Sequence, residues 1–402
     1  MKGKRMSINM KIYFRNKDYS QRLVQKVQKV TQTIATLFVV TLLGSSCAGE
    51  KQLTPTAIPD YPITKGVSAP FAGFIGDWLI VAGGCNFPDT PAAEGGKKAY
   101  YREIYAYNTA DPEAQWVRQT DLPFAVAYGA SVETPDGLVC IGGMNADSLI
   151  TSVVRIEQTE KPDSFALNML PALPTPIDNG AATRTGNRIY LTGGNQKDGE
   201  QKLYALSPAE EYCWTELSEY PGQKRIQPTL LSDGGNGLYL CGGYTVKNDT
   251  CLLAEELLRY DTHDQIWTVE SRLPADQHGA PRCFVGGSGT TYKEQLILTG
   301  GVDYQIFKNA IEGRAPADYM KKAPEWYRFN SDLLLYDTNT QEWKTVNGPK
   351  GMARAGGILL HKENTLYMVC GETKPGIRSN RISIYPMPDD GEESEERYYR
   401  HS

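Results

Sequence analysis

Histidine is scarce in this chain: four among 402 residues, with no close His/Cys pairing and no Cys-x-x-Cys spacing. That leaves little room for a zinc or copper enzyme, whose ligand sets need such clusters. No bilayer-spanning run accompanies the short apolar stretch Ile34–Leu43, which at ten residues is too brief for a permanent membrane helix. Basic charge is also lacking beyond residue 46, where 33 Lys and Arg face 46 acids, a net charge of −13. So acidic a body is a poor partner for nucleic acid, which needs a basic face. At 40% hydrophobic and 22% charged, the composition is ordinarily globular and excludes collagen-like folds and bulk disorder. Length alone suggests two or three domains, but large all-β folds of this size run as one.

Nine Lys and Arg and a single acid, Asp18, occupy residues 1–46. They precede the apolar run, the small residues Gly44-Ser45-Ser46, and Cys47. Positive flank, short core and small residues describe a secretory signal over residues 1–46, with a true start at Met1, Met6 or Met10. The LGSSC ending resembles a bacterial lipoprotein box, which implies cleavage before Cys47 and acylation of its thiol. Ordinary signal-peptidase cleavage near Ala48, with Cys47 incidental, is the alternative. The expected location is the cell envelope, periplasmic or attached to the outer membrane, with membrane contact through the lipid anchor alone. Seven cysteines follow Cys47, so at least one is unpaired. Cys140, Cys241 and Cys370 lie inside apolar runs and read as small buried hydrophobes. The end, residues 389–402, is an acidic polar stretch expected to be disordered.

A repeat governs residues 47–388. Short apolar runs ending in Gly-Gly close at Gly84, Gly143, Gly194, Gly243 and Gly301, and a sixth, LYMVCG, closes at Gly371. Most are followed by a run bearing Tyr and then Trp, as in Tyr107/Trp116, Tyr204/Trp214, Tyr260/Trp267 and Tyr336/Trp343. Each unit is preceded by a run opening on small residues, such as AYGASV and NGAATR. Four short strands per unit make a propeller blade, and the Gly-Gly with Tyr…Trp pattern resembles kelch repeats. The expected fold is all-β: a six-bladed kelch-type β-propeller. The last unit lacks a fourth strand, and Thr54–Tyr61 is expected to supply it, closing the ring and removing an open sheet edge.

With strands lettered a to d from the axis outward, the Gly-Gly doublets end strand b. The b–c loops then share one rim with the d–a links. That rim gathers 85–101, 303–329 and 372–380, together with Asp178, Arg225, His278 and Arg354. The two long loops share Lys-Lys-Ala and clustered Tyr, and read either as flaps over the mouth or as walls of a polar, sugar-stacking pocket. The third, GETKPGIRSNR, sets Glu372 just past a strand end, with Lys374 and Arg378 close behind. Glu372 and Arg378 are either an ion pair holding the loop or an acid/base group beside an anion-binding fork.

The segment GETKPGIR (Gly371–Arg378) resembles a Gly-Glu-Ala-Lys-Pro-Gly-Leu-Arg segment of the N-acetylneuraminate epimerases, also called sialic acid mutarotases. PFAGFIGDWLIVAGGCNF, LPALPTPIDNGAATRTGNRIYLTGG, YPGQKRIQPT and GGVDYQIF resemble further segments, so the likeness runs from Leu53 to Arg381. In a bacterial member of the family the Glu-bearing segment precedes the GGCNF-like one; here it comes last, as in the cyclically permuted mutarotases. The resemblance implies Glu372 as the catalytic carboxylate and Arg378 as its partner. It implies Arg225 as a substrate-binding residue, with Asn86 and Lys97/Lys98 matching less closely; Lys374, in the Glu-bearing loop, is also expected to bind substrate. Asp303 departs from the family's Asn.

The implied activity is mutarotation of N-acetylneuraminate or a related sugar acid. A base takes the anomeric hydroxyl proton, the ring oxygen is protonated, and an Arg fork holds the sugar carboxylate. That chemistry calls for no cofactor and no metal. The alternative is a non-catalytic glycan-binding or scaffold propeller, since kelch folds often only bind. A copper radical oxidase on this fold would need two His near the axis, and His278 alone lies on the right rim.

Overall fold

The computed structural model describes residues 58–207 and 213–388. The expected signal segment, Cys47, and the tail 389–402 lie outside the described residues. All described residues belong to one compact unit, Thr56–Ser402.

Five antiparallel four-stranded sheets and one of three strands follow one another along the chain, each meandering outward. Their innermost strands are Phe71–Ile75, Ala130–Thr134, Asp178–Thr185, Thr229–Ser232, Gly287–Tyr292 and Ile358–Lys362. Blade six ends with Ile382–Pro386 as its third strand. Six apolar clusters fill the spaces between neighbouring blades; one joins Phe71, Ile80 and Ile104 of blade one to Leu138, Val154 and Ile156 of blade two. The six-bladed propeller expected from the repeat is the observed fold.

The Gly-Gly doublets are explained by what lies beside them. The second glycine of each blade has φ between 72° and 100°. Its N–H donates to a carbonyl in the link before the next blade's inner strand: Val126, Ile177, Arg225, Phe284, Arg354 and, from Gly371, Val67, all at 2.7–2.9 Å. A Cβ on the first glycine would strike that same link, as at Gly242, where it would lie 1.9 Å from the Phe284 carbonyl oxygen. The doublet is therefore a backbone staple between successive blades, and glycine is needed for both its left-handed φ and its bareness. In blade six the first position is Cys370, at φ 54°.

A second ring lies inside the first. Within two residues of the start of each inner strand, one residue has φ between 51° and 65°: Ala69, Tyr128, Asn179, Gln227, Gly286 and Gly356. Each accepts at its carbonyl from the next and donates to the previous one, closing six backbone hydrogen bonds of 2.7–3.3 Å around the axis. These six residues therefore crowd the axial mouth at equivalent positions.

Closure differs in detail from the expectation. Of the expected closing strand, Thr54–Tyr61, the residues described are 58–61, and they form no strand. Their place is nonetheless that of a segment just past an outer strand. Trp214 and Trp267 donate their indole N–H to Pro171 and Ser218, which follow the outer strands of blades two and three. Trp116 donates in the same way to Pro59, at 2.8 Å. Tyr61 then wedges edge-on against Tyr105 and Trp116, and its N–H bonds the Asn380 carbonyl of blade six. Among the described residues all seven cysteines are free, and Cys213 alone is exposed.

Candidate active site

Glu372 sits one residue past the staple of blade six, bonded through its backbone to Ala355 in both directions. The chain turns at Pro375-Gly376 and returns, so that Glu372 and Arg378 stand opposite each other in a two-stranded hairpin. Directly opposed residues share a face, and Arg378 Nη2 lies 2.6 Å from Glu372 Oε1. The Arg378 side chain is only 3% exposed, that of Glu372 22%. The guanidinium lies over the Phe87 ring, 4.8 Å from its centre. Its Nε and Nη1 are buried and make no hydrogen bond. Buried donors normally find partners, and this half of the fork is left with donors that a ligand could satisfy.

Three other elements converge on the hairpin. Lys98, from the blade-one loop, donates to the Tyr128 hydroxyl at 2.9 Å and lies 5.0 Å from that ring's centre. Tyr128 is blade two's member of the axial ring. Tyr319 comes from the blade-five loop. Burial pushes the Glu372 carboxyl above its usual value, against the lowering effect of Arg378 and Lys98. Burial, then Tyr327 and Glu372, push Tyr319 up to about 12. Burial and Cys85, with a smaller contribution from Glu372, raise Tyr128 well above an ordinary phenol, while Arg378 lowers it. One carboxylate, two phenols and two cations thus influence one another's protonation at the mouth.

The two long loops both pack against the hairpin turn. A Cβ on Gly376 would lie 2.7 Å from the Ala92 Cβ of one loop and 3.3 Å from Met320 Cε of the other. The blade-five loop contains the helix Tyr304–Ile311, capped by the Asp303 carboxylate, which accepts from the Ile306 N–H at 2.8 Å and pairs with Arg328 at 3.0 Å. The charge introduced at Asp303 is thus taken up by the cap and by Arg328.

Three residues expected to bind substrate are engaged elsewhere. Arg225, 2% exposed, donates through Nη1 to the carbonyls of Glu256 (2.8 Å), Leu240 and Gly242, and lies 3.8 Å from the Glu256 carboxylate. It fastens blade four, and none of these partners is shared with Glu372 or Arg378. Asn86 is buried, donating to the Gly66 carbonyl at 2.7 Å and accepting from the Tyr101 hydroxyl at 2.9 Å. Gly66 abuts the Ser379 backbone, so Asn86 braces the strand that carries Arg378. Lys374 donates to the Lys322 carbonyl at 2.7 Å and reaches that of Met320 at 3.5 Å, tying the hairpin turn to the flap. Phe87, Tyr128 and Tyr319 are neighbours that the motif reading passed over. For Tyr128 the signal was weak, because its equivalents in the other repeats, Ala69, Asn179, Gln227, Gly286 and Gly356, share a left-handed φ and no common residue type.

An axial cavity of about 570 Å³ runs inward from the ring that contains Tyr128 to Glu133, Arg184 and His361. Glu372 and Arg378 are not among its lining residues.

Fold and hairpin together define a kelch-type propeller with a Glu–Arg site at its axial mouth. A family model described as N-acetylneuraminate epimerase matches residues 170–397, and the chain belongs to that family. An N-acetylneuraminate epimerase of Haemophilus influenzae (strain PittEE) is 31% identical over 224 residues, 52% of this chain and 57% of the relative. One of Yersinia pestis (strain Pestoides F) is 28% identical over 267 residues, 60% of this chain and 66% of the relative. The chain therefore matches less than two thirds of these curated relatives' own length. A solved structure titled "Structure of YjhT" superposes with a TM-score of 0.56 at 16% identity, covering 81% of this chain and 99% of that one, a likeness of fold.

Proposed function

We propose that this protein interconverts the α and β anomers of N-acetylneuraminate or a closely related sugar acid. The observation that carries the reading is Arg378, buried beside Glu372 with Nε and Nη1 unbonded. A sialic acid bears its carboxylate and its anomeric hydroxyl on one carbon. An Arg fork and a carboxylate opposed across one hairpin match that arrangement. When Arg378 takes the sugar carboxylate, the anomeric hydroxyl is delivered to Glu372. Glu372 removes its proton, the bond from the anomeric carbon to the ring oxygen breaks, and a ketone and a free hydroxyl result. Rotation exposes the other carbonyl face, and the reverse steps close the opposite anomer. The names of the matched relatives support the substrate class.

The test follows anomer exchange of N-acetylneuraminate by proton NMR. The wild-type chain accelerates it, and Glu372→Gln, which keeps shape but removes the base, loses about 10²–10⁴-fold. Exchange at the wild-type rate in that variant would leave glycan binding without catalysis as the better reading. We further propose, from the sequence, that Cys47 is acylated and anchors the chain at the cell envelope. Cys47→Ser is expected to move the protein from the membrane to the soluble fraction, and an unchanged distribution counts against the anchor.

A further inference from the structure

Exchange of anomers needs two proton handlers, and Glu372 is one. The ring oxygen must gain a proton as its bond to the anomeric carbon breaks. Arg378 does not meet this need, because a guanidinium does not release a proton in proteins. We propose that the Tyr128 hydroxyl is the acid that protonates the ring oxygen, and that Lys98 positions it and resupplies its proton. The proposal rests on the mutarotase reading above.

Tyr128 is held by the axial ring: its N–H donates to the Ala69 carbonyl, and its own carbonyl accepts from Asn179, which fixes a left-handed residue at the mouth. An ammonium can only donate, so at 2.9 Å from Lys98 Nζ the phenol oxygen is the acceptor and its own hydrogen is left to give. The other contact of that oxygen is the Cys85 thiol, which donates to it at 3.3 Å, so neither partner takes the hydroxyl hydrogen. A sugar oxygen is the better recipient. The segment Cys85–Phe87 joins the hydroxyl to the base's partner: Cys85 Sγ touches the Tyr128 oxygen, and Phe87, two residues on, lies under the Arg378 guanidinium at 4.8 Å.

The step balances. The anomeric O–H proton goes to Glu372, and its electron pair forms the ketone. The electron pair of the ring carbon–oxygen bond leaves with the ring oxygen. That oxygen takes the Tyr128 proton, and the phenolate takes one from the Lys98 ammonium. Closing the ring returns each proton.

The test compares kcat and KM for exchange of N-acetylneuraminate in the intact chain. Tyr128→Phe keeps the ring and its stacking on Lys98, and is expected to lower kcat by about 10²–10³-fold while KM stays within about threefold. Lys98→Met lowers kcat without raising KM in step, and Lys98→Arg, which keeps the donor that positions the phenol but releases no proton, stays well below the wild-type kcat. The Lys98 pair decides the matter if Tyr128→Phe fails to fold. Tyr128→Phe or Lys98→Met with wild-type kcat, or with a change in KM alone, overturns the assignment while Glu372→Gln remains inactive. Loss of neither activity nor KM in Glu372→Gln, or no acceleration by the wild-type chain, would instead bring down the underlying mutarotase reading.

Discussion

Two arginines of this propeller are buried to nearly the same degree, Arg225 at 2% and Arg378 at 3% exposed. Their surroundings differ. Arg225 directs Nη1 to three backbone carbonyls of one blade and leaves Nε without a partner. Arg378 meets one carboxylate and an aromatic face, and leaves both Nε and Nη1 unbonded. Burial alone therefore does not distinguish a fastening from a receptor. The distinction lies in whether the donors point at backbone, which is always present, or at a place that a ligand can fill. Arginine suits both tasks, because its planar fork stays charged and offers five donors.

The contrast is sharpest in paired variants. Arg378→Met should cause the larger change in function. Losing hydrogen bonds to a charged ligand, at about 1.5–3 kcal/mol each, weakens binding of the sugar acid by about tenfold to over a hundredfold. The methyl ester of the same sugar, which has no carboxylate charge, should lose far less. Arg225→Met should instead leave buried carbonyls unsatisfied and destabilise the fold by about 1–3 kcal/mol. That would be read as a lower Tm, with KM unchanged in the folded protein. A selective loss of acidic-sugar binding in Arg225→Met would erase the comparison.

The two residues also show what the sequence could and could not tell. The Gly-Gly register revealed six blades, because a staple that admits no Cβ leaves a visible doublet in each repeat. Glu372 and Arg378 could be picked out because a short hairpin places residues in its own motif opposite one another. Arg225, Asn86 and Lys374 were placed on the correct rim, yet their side chains turn to carbonyls of other segments. A motif records the residue type and not the direction of the side chain. Tyr128 could not be picked out because it belongs to a ring whose six members share a backbone conformation and no common residue type. The family match at 170–397 begins at the last residue of blade two's outer strand, so blades one and two lie outside it.

A smaller effect concerns pH. With Glu372 as the proposed base, acting as a carboxylate, activity should fall as pH drops through its pKa, and burial sets that limb above the ordinary glutamate range. Arg378→Met removes one of the charges that lowers it, so the acid limb of kcat/KM should move to higher pH. An unmoved limb would mean that the group titrating is not Glu372. Stability runs the other way. A carboxyl whose folded pKa is raised adds stability below its unfolded value, and that contribution is lost as pH rises through the folded one.

The smallest expected effect separates Lys374 from Arg378 within the same hairpin. Lys374 binds the flap through the Lys322 and Met320 carbonyls, so its charge is directed at backbone, as with Arg225. Lys374→Met should loosen the contact between turn and flap and raise KM by a few-fold with little change in kcat, since a neutral-length side chain still fills the space. The rise should be the same for the sugar acid and for its methyl ester, because what is lost is the position of the flap and not a partner for the carboxylate. Arg378→Met, by contrast, should distinguish the two substrates. If Lys374→Met weakens the acid alone, its ammonium reaches the substrate, the carbonyl contacts are not its working state, and Lys374 belongs with Arg378 in the binding site.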